Sequence, residues 1–278
     1  MDLKKMKFFP KLITYLLLIL GSIVFLAPIV WMISTSLKGE GDIFTIPPKW
    51  ITQVFQRNNY VDAVNSFPFF RYTVNSVIIT AASVIGGVIS SAFVAYAFAK
   101  LRWPGRDIWF IILIATMMLP PQITMVPLFI FYSKLDWINT YLPLILPHFF
   151  GSAFYIFLIR QFYKSVPKEL DEAAKIDGAS AFYIWSRIYI PLSKPVLATT
   201  AIFIFMFTWN DFLGPLIYLM DSDKFTLQLG LRGFQQQYGT RWNVMMAASV
   251  LVALPTIVVF FAFQKYFIRG AAVSGVKG

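Results

Sequence analysis

The side chains able to do chemistry are few and far apart in this sequence. Cysteine is absent and His148 is the single histidine. Thiolate nucleophiles, thiolate metal sites and histidine metal clusters are therefore excluded. No G-x-x-x-x-G-K-[ST] run is present, so nothing here cradles the phosphates of ATP. One acid, Asp211, lies inside an apolar stretch, which is too little for an intramembrane active site. The sequence reads as a chain without enzymatic chemistry, a cofactor or a metal of its own. What remains is chemistry of contact. Glu172 precedes Ala173 and Ala174. Small side chains permit close backbone approach and a carboxylate can take a bidentate arginine, so this group suits entry into a cleft on another protein. A second group, Phe207, Thr208, Trp209, Asn210 and Asp211, sets an amide and a hydroxyl beside flat aromatic faces. Those are the groups that meet sugar hydroxyls and sugar rings, and the same residues equally serve helix packing or the geometry of a gate.

The elements around Glu172 have helical spacing. Ser165 is expected to cap a helix with Pro167 in its first turn and Glu169, Asp171 and Glu172 near its positive end. Leu170, Ala173, Ala174 and Asp177 share one face at i, i+3, i+4 and i+7. Asp177-Gly178 ends the helix, since glycine tolerates the left-handed conformation. Ser180 caps a second helix carrying Phe182, Trp185 and Tyr189 on one stripe, and Pro191 is expected to stop it. The segment 160–194 thus predicts a helix-turn-helix. A DNA-reading version is excluded because two apolar flanks leave no third helix and no free basic face.

Those flanks are membrane spans by composition. Of the 278 residues, 58% are hydrophobic and 13% charged, with mean hydropathy +0.67. A soluble domain carries about 25% charged residues. Stretches long enough to cross a bilayer without Asp, Glu, Lys or Arg run over 12–37, 72–99, 108–133, 137–159 and 242–264. A sixth, 195–220, carries only Asp211. With the N-terminus inside, sixteen of the 24 Lys and Arg fall in inner segments and eight in outer ones, which favours both termini inside. The net charge of +11 is then largely topology, and no nucleic acid partner is needed. The first stretch is too long for a signal-peptide core and no small-x-small cleavage site follows, so it reads as a retained helix. Lys4, Lys5, Lys7 and Lys11 before it suit anionic lipid heads. The expected fold is all-α, one six-span membrane domain over residues 1–278.

The run Glu172-Ala173-Ala174-Lys175-Ile176-Asp177-Gly178, nine residues, then Ile188-Tyr189-Ile190-Pro191 resembles the EAA loop of ABC importer permeases, E-A-A-x-x-x-G, nine residues, I-x-L-P. Ile190 stands where leucine is usual. Trp209-Asn210-Asp211-Phe212-Leu213-Gly214-Pro215-Leu216 resembles the W-N-E-F-x-x-P-L stretch of maltose-type permeases, with Asp for Glu. The tail 265–278 is similar to the C-terminus of the smaller subunit of that type. The resemblance implies the type I importer permease fold in a bacterial cytoplasmic membrane. It implies that Glu172, Ala173, Ala174, Asp177 and Gly178 couple to a cytoplasmic ATPase, and that Lys265, Arg269 and Lys277 reach the same partner. It further implies a second, similar permease as heterodimer partner, two ATPase subunits that hold ATP and Mg, and an extracytoplasmic solute-binding protein. The cargo it implies is a sugar, oligosaccharide or sugar-like solute. The alternatives are a glycerol-phosphate-like solute, an amino acid or a peptide, or, in another class, a secondary transporter, which would show inverted repeats.

Further expectations concern shape. Pro28, Pro120, Pro121, Pro127, Pro143, Pro147 and Pro255 lie inside spans, where they shape helices for packing or, at Pro120-Pro121, mark a bend beside a pathway. The small residues Ala81, Ala82, Ser83, Gly86, Gly87, Ser90, Ser91 and Ala92 suggest a second span buried among helices rather than facing lipid. His148 reads as a neutral histidine bonded to backbone, with a proton relay as the other reading. Phe67, Phe69, Phe70 and Tyr72 read as an interfacial anchor. Residues 39–71 have room for a short outer helix.

Overall fold

The computed structural model describes residues 8–234 and 241–275, with side chains described for 9–234 and 241–264. Lys4, Lys5, Lys7 and Lys277 lie outside the described residues. The helices in chain order are α1 Phe8–Ser36, α2 Asn58–Asn65, α3 Phe69–Lys100, α4 Arg106–Ala115, α5 Pro121–Lys134, α6 Leu142–Ile145 and α7 Ala153–Ser165. They continue as α8 Lys168–Ile176, α9 Ala181–Ile184, α10 Ile190–Leu192, α11 Lys194–Trp209, α12 Leu213–Tyr218, α13 Leu227–Arg232 and α14 Trp242–Gly275. No strand occurs among the described residues. Helices dominate because in lipid each backbone donor must be satisfied within its own segment.

Four helices are long and apolar enough to cross a membrane, and six spans result if each of two bent pairs counts as one. The predicted span 108–133 is one such pair: α4 with its 3₁₀ extension to Met118, then α5 at 98° to it. Pro120 is extended (φ −61°, ψ 133°) and Pro121 opens α5 at its first position. A proline disfavours helical backbone in the residue before it, so the pair breaks the helix where it stands. The predicted span 195–220 is also interrupted. Helix α11 ends at Trp209 and α12 starts at Leu213. The predicted span 137–159 is helical only from Leu142. Trp137–Tyr141 instead form a turn around Asn139, whose φ is +63°. An apolar count sees only the side chains and misses these breaks.

The chain falls into two compact units, Met1–Phe69 with Gly230–Leu254, and Phe70–Leu229 with Pro255–Gly278. In the first, Ala63, Val244, Ala247 and Ala248 form the core. The expected short helix in 39–71 is present as α2. Its Asn59 donates to the carbonyls of Ser36 and Lys38 at 2.9 Å each, so a side chain satisfies the last carbonyl of α1 and one just past its end. Helix α1 leaves its central apolar residues exposed, as a lipid-facing span does.

In the second unit α3 is two-sided. Ser83, Gly86, Gly87, Ser91 and Ala92 are buried, whereas Ala81, Ile85, Ile89 and Phe93 are exposed. The expectation that this span avoids lipid therefore holds for one face only. The small residues fall at i, i+3, i+4 and i+8, and the bulky ones between them point outward. Two glycines allow close approach on that face. A Cβ on Gly86 would overlap the Phe149 ring, and one on Gly87 would lie 2.7 Å from Ile204.

Candidate functional site

Helix α8 begins after Pro167, with Glu169 and Asp171 in its first turn. Ser165 is not its cap. That serine ends α7 and donates to the Phe162 carbonyl, because Val166 and Pro167 are extended and separate the two helices. The end of α8 follows the sequence reading. Gly178 has φ +77°, its N–H donates to Lys175 O at 3.0 Å, and the Ala179 N–H donates to Ala174 O at 2.9 Å. Those two bonds are the Schellman arrangement, which a left-handed glycine permits. Ser180 caps α9 by accepting the Tyr183 N–H at 3.2 Å.

Pro191 does not stop the second helix. The chain passes from α9 through a π turn, Trp185–Tyr189, into α10. The wider turn allows proline to enter at the start of α10, and the break comes at Ser193, after which α11 leaves at 80°.

Glu172, Ala173, Asp177 and Gly178 are exposed, and Ala174 is half-buried against the core. The inward face of α8 is thus Asp171 with Ala174, while Leu170, Ala173 and Asp177 of the expected shared face are exposed. A charged pair explains the difference. The Asp171 carboxylate lies 3.1 Å from the Lys100 ammonium at the end of α3, with side-chain exposures of 12% and 8%. The same Oδ2 accepts the Tyr189 hydroxyl at 2.9 Å, and Lys100 also donates to Val166 O at 2.9 Å. One buried ion pair therefore ties α8, the chain before it and the π turn to the end of a membrane helix. Tyr96, Tyr163 and Tyr189 pack ring to ring around it, with centroids 5.0–6.3 Å apart. Sequence reasoning missed this anchor. Its only signal is that Lys100 is the first charge after the apolar run of α3.

The hairpin's outer surface is exposed among the described residues. Ile176 is 86% exposed and Phe182 64%. Exposed apolar side chains beside Glu172 and a strip of small residues are the make-up of a docking surface.

The second candidate group is less convergent. Asn210 caps α11 by donating to Met206 O at 2.7 Å. The Asp211 carboxylate accepts the Gly214 N–H at 3.0 Å, which opens α12 as an N-cap acid does. This Asn-Asp pair is what interrupts the apolar stretch, since its side chains satisfy the backbone groups that the break frees. Trp209 is buried and stacks on Phe205 at 5.6 Å. Phe207, Thr208, Trp209 and Asp211 line a small cavity of about 20 Å³ together with His148 and Thr226. That volume holds about one water, and no sugar. Of the five residues, Phe207 and Asn210 are the two exposed ones. The His148 ring makes none of the expected backbone bonds among the described residues; its carbonyl accepts Ser90 Oγ at 3.0 Å.

Asn139 is a further residue that the sequence reading passed over. Its N–H donates to Tyr218 O at 2.8 Å. Its Oδ1 accepts the N–H groups of Met220 and Asp221, and its Nδ2 donates to Asp221. These bonds join the turn after α5 to the end of α12. Lys265 and Arg269 lie on α14, and their side chains are outside the described residues.

Residues 87–273 match the family described as "Binding-protein-dependent transport system inner membrane component". Among curated relatives, a probable ABC transporter permease protein, YurM of Bacillus subtilis (strain 168), is 36% identical, covering 90% of this chain and 83% of the relative. The arabinooligosaccharides transport system permease protein AraQ of the same organism is 34% identical, covering 92% of each. Among solved structures, a chain of a bacterial ABC transporter involved in the import of the acidic polysaccharide alginate has TM-score 0.82 and 25% identity, covering 92% of this chain and 95% of that one.

Proposed function

Since this chain belongs to the family of binding-protein-dependent transport system inner membrane components, as a multi-pass protein of the cytoplasmic membrane with the importer permease fold, we propose that it translocates a sugar or oligosaccharide by alternating access. The chain itself is a permease and not an enzyme. The work is done by two cytoplasmic ATPase subunits, a second permease completes the pore, and an extracytoplasmic binding protein delivers the solute. Both termini lie inside. The sugar class rests on relatives such as the arabinooligosaccharide permease and on the W-N-D-F stretch.

Coupling runs through the α8–α9 hairpin. The observation that carries this reading is the contrast between its two faces. The outer face offers Glu172, Ala173 and Ile176 to a partner, while the inner face is bolted to α3 by Asp171 and Lys100. A partner that moves the hairpin must therefore move the membrane helices with it, which is the condition for a rigid-body transition. Gly178 fixes the reversal between the arms, so that force passes through a bend of set geometry. Lys265, Arg269 and Lys277 add a separate, cationic contact of the tail with the ATPase. Among the pathway residues Phe207 and Asn210 face outward and are the ones able to meet solute, while Thr208, Trp209 and Asp211 shape the break behind them.

The test is Glu172→Lys in the assembled transporter. Uptake and solute-stimulated ATP hydrolysis both fall by tenfold or more, because a bidentate carboxylate contact becomes a repulsion. Uptake and hydrolysis that both stay at the wild-type level remove the coupling role.

A further inference from the structure

The connection between α3 and α4 carries charge that the coupling reading does not use. A recess of about 450 Å³ there is lined by Arg102, Trp103, Gly105, Arg106, Asp107 and Ile108. Arg160 of α7 closes in behind, its guanidinium 3.9 Å from Asp107 and 3.7 Å from the Phe110 ring centre. Lys164, one turn further along α7, acts on the same carboxylate. Three cations thus act on one acid, and Arg102 adds a fourth to the lining of the recess. Asp107 is already engaged by Arg106 at 3.0 and 3.2 Å, and its side chain is 71% exposed. Arg102 and Lys164 are exposed and form no hydrogen bond or ion pair among the described residues. No side chain caps α4 at Gly105, so its first-turn amides add to the positive field.

We propose that this recess binds the phosphate of an anionic phospholipid. The choice of a lipid over a free anion comes from what continues the recess. Ile108, Trp109 and Ile111, the next residues of α4, are 66%, 58% and 68% exposed, which gives an apolar face in direct sequence with the basic loop. Trp103, half-exposed at the junction, is the amphipathic ring that sits at a headgroup boundary. Cations, an interfacial tryptophan, then an apolar helix face follow the order of phosphate, glycerol and acyl chain. Topology alone would account for a positive loop here, but topology requires neither a recess nor three cations converging on one acid beside a fourth in the same lining.

The experiment is lipid titration of the whole assembled transporter in detergent, read by native mass spectrometry. Phosphatidylglycerol and phosphatidylcholine are compared on wild type and on Arg102→Gln/Lys164→Gln. A basic side chain at an anionic surface is worth about fivefold in affinity, so the double variant loses about 25-fold for phosphatidylglycerol and nothing for phosphatidylcholine. Arg102→Gln alone loses about fivefold and serves if the double variant does not assemble. Equal retention of phosphatidylglycerol by wild type and variant overturns the proposal, as does equal binding of the two lipids. Displacement of the lipid by millimolar inorganic phosphate overturns the lipid assignment and leaves a free-anion site.

Discussion

Replacing Lys100 with methionine tests how the hairpin is held. The change keeps the length and apolar stem of the side chain and removes its charge. Asp171 is left with the Tyr189 hydroxyl and no cation, with 12% of its side chain exposed. Removing one partner of a buried pair costs about 3–5 kcal/mol, because the remaining charge stays desolvated. Some water reaches this site, so the lower figure applies, about 3 kcal/mol. At about 1.4 kcal/mol per factor of ten, the equilibrium for detaching α8 from α3 rises by about 150-fold. Hydrogen exchange reads that equilibrium directly. Amides of residues 170–176 exchange about 100-fold faster in Lys100→Met, while those in the middle of α3 do not change. Adding Asp171→Asn removes the stranded charge and keeps an acceptor for Tyr189. The double variant then recovers to within about tenfold of wild type. Wild-type exchange in the single variant, or a double variant as loose as the single one, would refute the anchor.

Three other perturbations follow from the same geometry. Gly178→Ala meets no neighbour, so its cost is the left-handed backbone alone, about 1–2 kcal/mol; uptake falls while Gly178→Asn, which tolerates that conformation, retains more. Asn139→Ala loses three side-chain hydrogen bonds and keeps φ +63°, a loss of about 2–3 kcal/mol visible as a lower melting temperature. The hydrogen bond from Asn139, and then that from Lys224, hold Asp221 below the usual carboxylate range. Its contribution is therefore full at pH 7 and lost only as pH falls below about 4, and in Asn139→Ala that loss is smaller and is complete at a higher pH. Gly86→Val forces the Phe149 ring aside and costs about 1–3 kcal/mol, read as lower assembly yield, whereas the larger Ile85→Phe on the exposed face is neutral.

The two helix ends that meet at the bend of the hairpin were legible because they depend on local chemistry. Gly178 and Ser180 act through their own backbone and neighbours three or four residues away. The apolar spans were legible from composition, and the family from motif spacing. The breaks inside the spans were harder to read. Asn210 with Asp211, and Asn139, satisfy backbone groups by side chain, so a polar interruption reads as a tolerated residue in an apolar run. The Lys100–Asp171 pair was invisible because its members are far apart in sequence and each is unremarkable where it stands. The burial of Asp171 on α8 is hidden for the same reason, because a lysine distant in sequence turns that carboxylate inward. Prolines show both limits. Pro120-Pro121 breaks a helix by local sterics, but Pro191 sits at the start of a helix because a π turn makes room for it.

With no native cysteine in the sequence, Ala173→Cys gives a single reporter on the exposed arm of the hairpin. Cross-linking it in the assembled transporter to a cysteine in the cleft of the ATPase subunit tests the central claim directly. The link forms in high yield in resting and nucleotide-bound states, and it leaves ATP-driven uptake intact because the contact persists as both parts move. Failure of Ala173→Cys to reach the ATPase subunit, while uptake proceeds at the wild-type rate, would contradict the account.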